Sequence, residues 1–136
     1  MSTATFTAPT TTAPAQRSTA GRVSWKRGLA TGAVGAAAAT TIAFAFQAAG
    51  HALSVTDGAI PPLAFAQMVL LSTVVGILIA RHTSRATFYR SAVALTVLSC
   101  VPDVALGDGF VSTAGLVTTH VVAAAIIVPR LARREQ

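Results

Sequence analysis

All ten Lys and Arg residues of this chain fall on alternate connections between four apolar segments. Arg17, Arg22, Lys26 and Arg27 precede the first segment. Arg81, Arg85 and Arg90 surround the connection between the second and third, and Arg130, Arg133 and Arg134 follow the fourth. The other two connections, around Thr56 and around Gly109, carry Asp57 and Asp108 and no basic residue. Alternation of this kind is the positive-inside pattern of a polytopic membrane protein, and it assigns both termini to the cytoplasm. The expected fold is all-α, a four-transmembrane-helix bundle in the cell membrane.

Composition agrees. Apolar residues make up 53% of the chain and charged residues only 10%, against about 25% charged in a soluble domain. The formal net charge of +6 would suit a nucleic-acid partner, but the basic residues flank apolar spans and form no continuous patch. Their expected partner is the anionic headgroup layer of the lipid bilayer, not nucleic acid. Cys100 is the only cysteine, which excludes an intramolecular disulfide and a thiolate metal cluster within one chain.

Residues 1–24 are expected to form a cytoplasmic tail. The Thr, Ala, Ser and Pro of its first 21 positions bury too little apolar surface to offset the entropy of ordering, which predicts disorder. Residues 25–133 form the transmembrane domain, opened by Trp25 at headgroup level, and 134–136 end the chain in the cytoplasm. The spans cover about 28–49, 61–80, 86–106 and 111–128, each long enough to cross a bilayer. Pro61 and Pro62 suit a helix start. Short connections predict that successive helices are antiparallel neighbours. Ala43-Phe44-Ala45 resembles a signal-peptidase site, but the apolar run is long and three more spans follow, so the first span is expected to be retained. Asp57-Gly58 and Asp108-Gly109 occupy equivalent outer turns. That echo suits either a parallel repeat or the general preference of Asp-Gly for turns.

Polar groups are costly in hydrocarbon, so their positions inside the spans carry most of the functional information. Thr40, Gln47 and His51 follow one stripe of the first span, and Thr96, Ser99, Cys100 and Asp103 share one face of the third. The second span contributes Gln67 and the fourth Thr118, Thr119 and His120. Gln47, Gln67, Asp103 and His120 are therefore the candidate lining of an outer-half polar pocket. A helix stopping before Pro102 would be too short to cross, which predicts a span continuing through Pro102 to Asp103. Asp103 is then either a proton, cation or substrate contact or an interfacial carboxylate reaching water. His120 is either a protonatable or ligand-binding group or a neutral histidine bonded to a neighbouring helix. Residue counts from the ends of spans three and four put their α-carbons roughly 9 Å apart in depth, an offset that one bridging water would span or a later helix start would close into direct contact. His51, His82 and His120 lie at unmatched depths, which argues against a bis-histidine haem. Cys100 reads as a small packing residue. Three spaced sets of small residues, Gly28-Gly32-Ala36, Ser72-Gly76-Ala80 and Gly115-Thr119-Ala123, predict close helix approach.

Several short motifs give the chain a resemblance to a family of small uncharacterised membrane proteins, a domain of unknown function, from high-GC Gram-positive bacteria. They are Phe65-Ala66-Gln67, Leu98-Ser99-Cys100-Val101-Pro102-Asp103, Thr119-His120-Val121-Val122-Ala123-Ala124 and Val128-Pro129-Arg130-Leu131-Ala132. The resemblance covers Trp25 to Arg133. It implies a four-helix plasma-membrane protein and supplies no activity or catalytic residue. No metal-ligand spacing, phosphate loop or nucleophile motif occurs, so no catalytic residue, metal or cofactor is assigned. The leading expectation is an accessory, scaffolding or lipid-associated protein, alone, as a homo-oligomer or with a membrane-protein partner. The alternatives are a small oligomeric transporter or channel using the outer-half pocket, and a membrane enzyme or cofactor carrier.

Overall fold

The computed structural model describes residues 23–56 and 58–133. The predicted tail up to residue 22, Asp57 and the last three residues lie outside them. Four helices account for most of the rest: α1 (Trp25–Ala48), α2 (Pro62–His82), α3 (Arg85–Leu106) and α4 (Gly109–Ala132). Each is long and apolar enough to cross a membrane. A short antiparallel hairpin, β1 (Ser54–Val55) and β2 (Gly58–Ala59), lies between α1 and α2.

The distribution of side chains is that of a protein solvated by lipid. Large apolar residues such as Val34, Leu71, Val97, Val104 and Val121 point outward, each more than half exposed. Much of the interior is made of small residues. The buried face of α1 is Gly28, Gly32, Gly35, Ala36, Ala39 and Ala43, spaced at the three- and four-residue steps that keep one face of a helix. A β-carbon on Gly28 would lie 2.5 Å from Ile77 Cδ1, and one on Gly32 2.6 Å from Thr73 Cγ2. A β-carbon on Gly35 would lie 2.8 Å from Ile127 Cδ1. These glycines let α1 sit between α2 and α4, where van der Waals contact between backbones replaces the hydrophobic drive that lipid does not supply.

The helix ends follow local chemistry, and α4 extends beyond its hydropathy limits. α2 begins with Pro62, whose missing N–H costs nothing in the first turn. Ser84 caps α3 by accepting a hydrogen bond from the Thr87 N–H at 3.1 Å. α3 runs through Pro102 as the span length required. α4 runs through Pro129 to Ala132, beyond the expected end near 128, because Leu131 and Ala132 are buried beside Ile77 and Val23. Packing thus begins before the first helix. Val23 is 5% exposed, its carbonyl accepts from Arg81 Nη1 at 2.7 Å, and the Arg81 guanidinium lies 5.7 Å from the centre of the Trp25 ring.

The opposite end is closed by the hairpin. The Thr56 N–H donates to the Leu106 carbonyl at 2.9 Å, and the Asp108 N–H donates to the Ser54 carbonyl at 3.1 Å. The Ser112 hydroxyl accepts from the Ser54 N–H at 2.6 Å and donates to the Ser54 carbonyl at 3.1 Å. Leu53, 2% exposed, fills the space that Gly115 leaves, where a β-carbon would collide with its Cδ2. Gly109 opens α4 at φ 81°, a conformation L side chains avoid.

The expectation that successive helices are neighbours holds for α1 with α2 and for α3 with α4 and fails for α2 with α3. α2 and α3 follow one another through a two-residue connection but barely touch. α3 packs on α4 instead, and α1 packs against α2 and α4. Phe88 is buried where α2 and α3 start out together, and beyond it they part. Small residues are so abundant here that they mark which faces can approach closely, not which pairs do.

Candidate functional site

The gap between α2 and α3 is a lateral groove floored by α4. Near the basic end it encloses about 290 Å³ between Val75 and Ile79 of α2, Phe88 and Leu95 of α3, and Ile127 and Leu131 of α4. Toward the hairpin it is followed by a second cavity of about 360 Å³ reaching Phe65, Asp103, Leu116 and Thr119. Val69, His120 and Ala123 line both, so His120 stands where the two meet.

Most hydroxyls singled out in the spans satisfy themselves. Thr96 Oγ1 donates to the Ala92 carbonyl at 2.8 Å and Ser99 Oγ to the Thr96 carbonyl at 2.7 Å, whereas Thr40 Oγ1 is buried with no hydrogen-bond partner. Thr118 Oγ1 donates to Ala114 and Thr119 Oγ1 to Leu116, each at 2.7 Å. Bonding back to the helix's own carbonyls is the usual solution for Ser and Thr in an apolar medium. It leaves these groups no further donor to offer a ligand.

Asp103 and His120 behave differently. The structure brings them into contact, with His120 Nδ1 2.8 Å from Asp103 Oδ2. The Asp103 side chain is 11% exposed and that of His120 39%. The same Nδ1 lies 3.2 Å from the Leu116 carbonyl. Oδ2 is fully buried and has no aligned hydrogen bond, so its approach to the imidazole is a close contact and not a well-directed bond. The depth offset expected from residue counting disappears because α3 ends below the start of α4. Gly107, just past the end of α3, stands against the Thr113 side chain, about one turn inside Gly109. That stagger carries Asp103 down to His120.

Gln67 and Gln47 are not part of this cluster. Gln67 is exposed and lines neither cavity of the groove. It lies two positions from the buried Phe65, about 200° around the helix. Gln47 is also exposed and borders a separate hollow of about 190 Å³ with Ala43, Leu53 and Ile60. His51 and His82 stand at opposite ends of the bundle. The residue that the polar-pocket reading left out is Cys100, whose sulfur joins the Asp103 and His120 ligand atoms within 4.8 Å of one another. Its three-residue spacing from Asp103 was the available signal.

Four membrane-length helices with an apolar perimeter and a small-residue interior define a multi-pass integral membrane protein. Residues 19–136 match the model of DUF6069, a family of unknown function, and the chain belongs to that family. No curated protein and no solved structure matches it.

Proposed function

We propose that the protein is a lipid-associated accessory protein of the plasma membrane, with both termini cytoplasmic, and that its groove seats an acyl chain. The observation that carries this reading is the parting of α2 and α3 over α4. It leaves an elongated, largely apolar, laterally open groove at membrane depth. In a bilayer such a groove takes up the apolar chains that surround it, because an empty one forfeits the dispersion contacts of its lining. At the basic end, Arg27, Arg130 and Arg133 surround a further cavity of about 290 Å³ beside Ser24 and Thr31, which suits anionic headgroups.

The test is native mass spectrometry of the full chain released from nanodiscs. Wild type should retain lipid, and Gly76→Leu, which projects into the groove, should retain less. Equal lipid retention by the two proteins would remove the groove from the reading. Orientation is tested separately by reporter fusions at Thr56, Thr83, Gly109 and Gln136, expected outside, inside, outside and inside. An outside signal at Gln136 would overturn the cytoplasmic termini.

The Asp103–His120 contact favours a second reading, an oligomeric proton- or cation-coupled transporter, since an ionisable pair inside a span is costly to keep without use. Proteoliposome flux that Asp103→Asn abolishes would select it.

A further inference from the structure

We propose that Cys100, Asp103 and His120 form a mononuclear site for a divalent transition-metal ion of borderline softness, Zn²⁺ by preference. The proposal does not rest on the lipid reading, since it concerns the α3–α4 contact and not the occupant of the groove.

Three observations converge. First, the sulfur, a carboxylate oxygen and a ring nitrogen lie within 4.8 Å of one another. A tetrahedral Zn²⁺ at its usual bond lengths needs ligand separations of roughly 3.3–3.6 Å, so rotamer adjustments of about an ångström complete the triangle. Cys100 and Asp103 stand three residues apart on one face of α3, and His120 approaches from α4, so two rigid elements hold the ligands. Second, Asp103 is 8% exposed, and its Oδ2 is buried with no aligned hydrogen bond. A carboxylate oxygen in that condition calls for a cation. Among the described residues the only group at ion-pair distance from it is His120, a ligand in the same set.

Third, the charges balance. A thiolate and a carboxylate with a neutral imidazole neutralise a divalent ion, so the occupied site carries no net charge. In hydrocarbon that matters more than in water, because isolated charge there is expensive. The donor set also selects the metal. Thiolate with imidazole disfavours Mg²⁺ and Ca²⁺, which take oxygen ligands, and suits Zn²⁺. Three protein ligands leave a fourth position. Asp103 and His120 both face the cavity of about 360 Å³, so that position opens onto a space that can hold water or a small anionic ligand, as in zinc sites that exchange a ligand.

The experiment uses the full chain without a histidine tag, purified in detergent and stripped with a chelator. Zn²⁺ or Co²⁺ is added, and metal retained after desalting is counted by elemental mass spectrometry. About one ion per chain is expected, and the Co²⁺ form should show a near-ultraviolet thiolate-to-metal charge-transfer band, a signature that needs no variant to read. Cys100→Ser should abolish the band, and Cys100→Ser and His120→Gln should each weaken Zn²⁺ retention at least about tenfold. The double variant His51→Gln/His82→Gln should leave band and stoichiometry unchanged. Absence of the band, retention that survives Cys100→Ser and His120→Gln, or loss of metal in the His51/His82 variant would each overturn the site.

Discussion

α1 and α3 are of similar length and both cross the bundle from end to end, but they are held in opposite ways. α1 buries six Gly and Ala positions between α2 and α4 and has no acidic residue. α3 buries only Phe88 and Asp103. One helix is fixed by backbone proximity along its whole face. The other is pinned at two points, an aromatic ring at the basic end and a carboxylate toward the hairpin end. In a membrane, where burying apolar surface against protein gains little over burying it against lipid, the first arrangement supplies the stability and the second leaves freedom. Asp103 and Cys100 sit on the loosely held helix, and His120 meets them from α4.

The comparison is broken most severely by filling the α1 face. Gly32→Leu places a branched side chain where even a β-carbon would lie 2.6 Å from Thr73 Cγ2 and 2.9 Å from its Cβ. The expected loss is about 3 kcal/mol or more, the upper end of overpacking. It should appear as loss of the monodisperse species on size exclusion in detergent.

The pin on α3 should cost less. His120→Leu leaves Asp103 Oδ2 buried without the imidazole beside it, an uncompensated acceptor worth about 1–3 kcal/mol. Thermal unfolding followed by circular dichroism measures it. Replacing both partners in Asp103→Leu/His120→Leu should recover most of the loss, since exchanging a buried polar pair for apolar groups is often neutral or better. A double variant weaker than His120→Leu would show that the carboxylate has other structural partners.

Ser112→Ala comes next. It removes the acceptor of the Ser54 N–H and the donor to the Ser54 carbonyl, a loss of about 1 kcal/mol. The effect should stay at the hairpin end. Amide exchange should accelerate at Ser54 and Thr56 and remain unchanged along the α1 face.

These two styles of packing also separate what was legible in the sequence from what was not. The four spans were legible because hydropathy and flanking charge are local properties, and α3 continued through Pro102 because a shorter helix would not span. Asp103 and His120 stood out because each is individually costly in lipid. Their direct contact was legible only as one of the ways the depth offset could close. It depends on the stagger that sets Gly107 against Thr113, which the bonds from Ser54 and Thr56 to the α3–α4 turn help hold. Gln67 was grouped with them on depth alone, and its angle from Phe65 turns it outward. The parting of α2 from α3 was hidden for another reason. Ser72-Gly76-Ala80 has the same small-residue spacing as Gly28-Gly32-Ala36, yet only the second set receives a partner helix along its length. Spacing marks a face as capable of close packing, and the choice of partner lies in the complementary side chains of other helices.

The smallest expected effect therefore comes from the same substitution made at the partly open Gly76 of the Ser72-Gly76-Ala80 set. Gly76 is partly buried on the wall of the groove. A β-carbon there would meet only Leu131 Cδ1, at 3.4 Å, close but against the movable end of a side chain. The rest of a leucine at this position has open groove ahead of it. Removing a mid-helix glycine also recovers up to about 1 kcal/mol of helix propensity, which offsets the adjustment of Leu131. Gly76→Leu should thus shift stability by no more than about 1 kcal/mol in either direction, while Gly32→Leu costs about 3 kcal/mol or more. The contrast is checked by melting the two variants side by side in one detergent. A Gly76→Leu protein as damaged as Gly32→Leu would mean that α2 and α3 close on one another in the membrane. The groove would then be no seat for a lipid chain, and α3 would be held as firmly as α1.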